Sequence, residues 1–139
     1  MAKQRNERWI HPSAVIAEAV MIGAETVIGA GVIIGTGVII GSNCTIGSGV
    51  IIEEKTQIGN HCFLEPGAII GKQVTVGENS KIGMGARITN GVTIGADAVV
   101  KIGEIVLKDM VYKMVFKRGA WIYREDSLGD KNEKRGDEI

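Results

Sequence analysis

An all-β chain wound into a parallel β-helix is the fold this sequence predicts, and three regularities predict it. Aliphatic residues recur every six positions, small or β-branched residues stand two positions ahead of them, and glycine follows most of the aliphatics. The period excludes an amphipathic α-helix, which needs apolar residues at i, i+3, i+4 and i+7.

The first register runs Ile10, Ile16, Ile22, Ile28, Ile34, Ile40, Ile46, Ile52, Ile58, Leu64, Ile70, Val76, Ile82, Ile88, Ile94, Val100 and Val106, aliphatic at every step. The second runs from Ala14 through Thr26, Val38, Cys44, Cys62, Val74 and Ser80 to Ala98. Two inward residues around one outward residue describe a three-residue strand, because side chains alternate across a strand. Glycines such as Gly23, Gly41, Gly59, Gly77 and Gly95 come next, and their conformational freedom suits a sharp corner. Three hexads close a triangle of 18 residues, on which the next coil stacks at about 4.8 Å. No coil buries its interior alone, so stability is expected from stacking. Periodicity by itself admits a mirror-handed or four-sided coil as well.

Pro12, with His11 beside it, reads as the feature that opens the first coil. After Val106 the lattice gives way to Lys108–Phe116, expected to be a terminal strand that covers the last coil. The stretch from Arg124 to Ile139 is mostly charged and is expected to be a short helix or disordered. The expected divisions are therefore an N-terminal segment 1–9, a β-helix 10–111, and a C-terminal capping segment with a charged tail 112–139.

Outward residues spaced by 18 share a face. One row, Val15, Ile33, Ile51, Ile69, Arg87 and Ile105, is apolar at all but Arg87; the rows Met21-Ile39-Gln57-Thr75-Thr93-Val111 and Val27-Thr45-Phe63-Lys81-Val99 are mixed. An apolar stripe of that length calls for burial against neighbouring copies.

Composition narrows the function. The 139 residues suit one domain, and 16 basic against 16 acidic residues give no electrostatic reason to expect nucleic acid or an anionic membrane. No stretch reaches the roughly 18 apolar residues of a membrane span, and a cytoplasmic protein is expected. Cys44 and Cys62, 18 apart, should stack inside the prism as reduced, buried thiols. The two histidines are 50 residues apart, not a multiple of 18, so they cannot stack into a metal site.

The aliphatic–glycine pattern from about Ile10 to Asp109 resembles the hexapeptide-repeat acyltransferase family. Its strongest local match, Ile82-Gly83-Met84-Gly85-Ala86-Arg87-Ile88 through Val100 and then Ile102–Asp109, is similar to the last coils of sugar and serine acetyltransferases. The resemblance implies a left-handed triangular prism and a homotrimer. It also implies acyl transfer from acyl-coenzyme A to a hydroxyl or amine of a sugar or small metabolite, without a metal. Coenzyme contacts implied by position are Ala86, Gly91, Ala96, Gly103 and Lys108, with Lys101, Lys117 or Arg118 at the phosphates. Such enzymes use a histidine base, which can accept a proton near neutral pH. Here Glu54 and Phe63 occupy the family's two histidine positions, and His61, in the corner row Asn43, His61, Asn79 and Asp97, is the remaining candidate. Glu54 is the second candidate base, with Lys72 one coil above it as an expected ion-pair partner. The family's Gly-Asn-Pro-Ala stretch is replaced, and Glu104 breaks the small inward register. These departures support an alternative, a non-catalytic trimeric β-helix that serves assembly.

Overall fold

The structure, a computed structural model, describes residues 7–126. Seventeen two-residue strands from Trp9–Ile10 to Ile105–Val106 follow the hexad lattice, one residue shorter than the expected strands. Each but the last three pairs in parallel with the strand 18 residues later: Val15 lies against Ile33, Ile33 against Ile51, Ile51 against Ile69, and Ile69 against Arg87. Three sheets of six, six and five strands result. The first face carries Trp9, Val27, Thr45, Phe63, Lys81 and Val99 outward; the second carries Val15 to Ile105; the third carries Met21, Ile39, Gln57, Thr75 and Thr93. The described chain contains no helix, and the fold is the left-handed parallel β-helix.

From Ile28 to Val106 every lattice aliphatic is buried. Ile10, Ile16 and Ile22 are only partly buried, because no described coil lies beneath the first one. Three polar side chains enter this core, and each is satisfied. Thr26 Oγ1 donates to the Gly41 carbonyl (2.7 Å), Thr56 Oγ1 to that of Gly71 (2.6 Å) and Ser80 Oγ to that of Gly95 (3.0 Å). The two thiols do the same, Cys44 Sγ toward Gly59 (3.1 Å) and Cys62 Sγ toward Gly77 (3.2 Å). Thr26, Cys44, Cys62 and Ser80 thus form one column of donors spaced by 18. A buried carbonyl left without such a partner costs about 1–3 kcal/mol, so the cysteines are polar members of the core as well as small hydrophobes.

The corners correct one expectation. Glycines that follow the aliphatics do not take up positive φ; they are small because the next coil passes close by. A Cβ on Gly83 would stand 2.6 Å from the Ile102 nitrogen, and one on Gly59 2.7 Å from that of Glu78. The left-handed residue comes two positions later. Between the first and second faces it is always glycine above the first coil: Gly31, Gly49, Gly67, Gly85 and Gly103, at φ of 70, 71, 79, 69 and 70°. Between the third and first faces it is Glu25, Asn43, His61, Asn79 and Asp97, at 58–60°. Each such N–H donates to the coil below, as His61 does to the Ser42 carbonyl at 2.9 Å. His11 serves the opening turn as expected, its Nδ1 accepting the Ser13 N–H at 3.0 Å.

After Val106 the coil is cut short. Met110 bridges Ile94, 16 residues back instead of 18. Its N–H donates to Thr93 O (2.8 Å), and Asp109 Oδ1 accepts the Thr93 N–H (2.8 Å). Val111 therefore leaves the third face and opens an antiparallel hairpin, Val111–Lys117 with Ala120–Asp126, in place of a single terminal strand. Arg118 and Gly119, both at positive φ, form its turn, the backbone that matches strand twist in tight hairpins. Arg124–Asp126, expected in the tail, belong to this hairpin; the expectation for the following residues lies outside the described residues.

Candidate functional site

Three corners divide the candidate residues. Corner positions recur every 18 residues, so a residue's place in its coil decides which edge of the prism it occupies. Glu54, Gly91 and Lys108 share the edge between the second and third faces, where each is exposed. Lys101 and Gly103 share the edge between the first and second faces, also exposed. His61 and Ala96 share the edge between the third and first faces. Ala86 is fully buried at 0% exposure, so its methyl group packs in the core and cannot line an outer groove. Arg118 lies exposed in the hairpin turn, and Lys117 ends the strand before it.

His61 and Glu54 therefore do not converge within one chain. His61 is exposed in its left-handed corner, with Asn43 below and Asn79 above it in the same row. That row holds a side-chain ladder in its upper part, where Asn79 Nδ2 donates to Asp97 Oδ1 at 2.6 Å. Such residues tolerate this backbone because their short polar groups bond locally. No salt bridge joins Glu54 to Lys72 among the described residues, so the ion pair expected from their spacing does not form. A group of three or more metal-ligating side chains is likewise not found among the described residues.

The glycine edges offer what a thin, extended ligand requires. A Cβ built at Gly49, Gly85, Gly91 or Gly103 would meet nothing within 4 Å, so these corners are bare backbone open to solvent. Lys108 supplies an exposed cation on the edge that carries Gly91.

A family model described as the GMPPB C-terminal domain matches residues 5–118. The chain belongs to the GMPPB C-terminal domain family. Among solved structures, PerB from Caulobacter crescentus, in complex with CoA and GDP-perosamine, is 35% identical over 78% of this chain and 54% of its own, at a TM-score of 0.75. The acetyltransferase domain of PglB from Neisseria gonorrhoeae is 21% identical at a TM-score of 0.74, over 78% of this chain and 55% of its own, and shares the fold. Soybean serine acetyltransferase complexed with serine is 24% identical at 0.51, over 81% and 42%. The chain thus spans about half the length of PerB and of the PglB domain. No curated protein matches the sequence. The hexapeptide-repeat resemblance read from the sequence is borne out in these neighbours.

Proposed function

We propose that this protein is an acyl-CoA-dependent acyltransferase that acylates a hydroxyl or amine on a sugar or small metabolite, and that it works as a homotrimer. The observation that carries the reading is the 35% identity with PerB, whose structure holds CoA and GDP-perosamine. In this reading the coenzyme lies along the edge between the second and third faces, over Gly91 and toward Lys108. His61 is the general base, taking the acceptor's proton as its oxygen or nitrogen attacks the thioester carbonyl; the coenzyme thiolate is the leaving group. Glu54 stands on the coenzyme's own edge and is the alternative base. Because the candidates occupy different edges of one prism, a site that combines His61 with the glycine edge needs two subunits. The apolar second face supports a trimer; Glu54, Gly91 and Lys108 stand on an edge that borders that face, whereas the His61 edge lies opposite it.

Calorimetric titration with CoA tests the reading: saturable binding is expected, abolished by Gly91→Trp. Absence of binding would remove the enzyme and leave the second reading, a trimeric assembly module. One observation favours that alternative: neither histidine position of the related enzymes holds a histidine, Glu54 and Phe63 standing there instead.

A further inference from the structure

On the first face, beside the glycine edge it shares with the second, the last two coils leave an open depression of about 450 Å³. We infer that it binds a small amphipathic anion, a carboxylate or phosphate monoester on a short apolar stem, with Lys81 and Lys101 meeting the head and Val99 and Ile102 the stem. The depression contains neither His61 nor Glu54 and lies on a different edge from Gly91 and Lys108; of the residues aligned with coenzyme contacts, Lys101 lines it and Gly103 shares its edge, so competition with CoA is one arm of the test.

Four observations carry it. The volume falls within the range of small-molecule sites, roughly 300–1,000 Å³. Val99 and Ile102 stand 59% and 74% exposed on its wall, apolar surface that a stem of a few carbons would remove from water. Gly83, also on the wall, lies where no side chain fits against the coil above.

The electrostatics select the sign of the head. Lys81 Nζ is positioned by Glu65 Oε2 at 3.3 Å and lies 5.9 Å from the Phe63 ring centroid. Glu65 has its other oxygen, Oε1, accepting the Met84 N–H at 2.9 Å, so both its oxygens are committed. An ammonium has three donors, and Glu65 takes one from Lys81. Lys101 has its backbone N–H held by Glu104 Oε1 at 2.8 Å, while its side chain forms no salt bridge among the described residues. The depression therefore holds one compensated and one uncompensated cation, which an anion satisfies and a cation does not.

The test follows amide resonances of Val99, Lys101 and Ile102 in the isotope-labelled protein during titration with hexyl phosphate and, separately, hexanoate. Hexanol and hexylamine are the neutral and cationic controls. Saturable shifts with at least one anion are expected, and the tighter of the two identifies the head group. Lys81→Gln with Lys101→Gln should weaken binding at least about tenfold while leaving resonances of distant coils in place; Ile102→Asn should weaken it through the stem alone. The proposal is overturned by an absent response to both anions into the millimolar range, by an equal response to hexanol or hexylamine, or by unchanged affinity in the double variant. Displacement of the probe by CoA would also overturn it, by placing the depression within the coenzyme site.

Discussion

Cys44 and Cys62 lie one above the other in the donor column, each about 1% exposed. The Cys44 thiol stacked against it, and then burial, push the Cys62 thiol above its ordinary 9.0. Above that pH an unfolded Cys62 is ionised while the folded one keeps its proton. The native state then binds more protons, so stability falls as pH rises past 9.0, by up to about 1.4 kcal/mol per pH unit. Denaturant midpoints measured on either side of that pH check this, and Cys62→Ala should flatten the slope. Both thiols should resist labelling at neutral pH until the protein unfolds. Their burial and stacking were legible in the sequence from the 18-residue spacing. Their bonds to glycine carbonyls were not, although Thr26, Cys44, Cys62 and Ser80 at one place in four successive coils was the signal. In the candidate site, His61→Ala should lower turnover at least about a hundredfold, the scale of a general base. Unchanged turnover would transfer the role to Glu54.

At the scale of the corner, the structure separates two kinds of glycine that the sequence shows as one letter. Gly85→Ala places a methyl in open space but at φ 69°, a backbone cost of about 1–2 kcal/mol. Gly83→Ala drives the methyl to within 2.6 Å of the coil above, so coils must part; it should cost more than Gly85→Ala and disturb the depression beside it. Conversely Lys55 and Gln73 hold φ of 59 and 53°, and changing either to glycine should raise stability by up to about 1 kcal/mol. Thermal unfolding of the four variants ranks these effects. Strand positions were legible because a period of six leaves little choice of inward face. The shortened last coil was not, because Leu107-Lys108-Asp109 reads as another hexad until Met110 is seen to pair with Ile94.

For the whole molecule, the decisive surface is the second face. Val15, Ile33 and Ile105 are 61%, 45% and 62% exposed there in the single chain, with Ile51 and Ile69 half-buried between them. Light scattering should give about three times the chain mass, and Ile51→Lys with Ile69→Lys should yield monomers, as charge on each strand of a buried face cannot be desolvated cheaply. A wild-type monomer at micromolar concentration would remove both the interface and any site that spans it. How the candidate residues divide among three edges was also legible, by the remainder each number leaves on division by 18; a list of family-like residues hid it. The donor column has a consequence for how the gene can change length. The aliphatic lattice alone would accept a slip of one hexad, since every face offers the same isoleucines. The hydroxyl and thiol donors and the all-glycine edge differ from face to face, and they make such a slip costly. Excising residues 37–54, one whole coil, should leave a foldable, shorter protein with every later residue on its original face. Excising residues 49–54 should rotate everything downstream by a third of a turn, sending Cys62 and Ser80 to an edge where valines belong. The chain can therefore be lengthened or trimmed by duplication and loss only in units of a full coil.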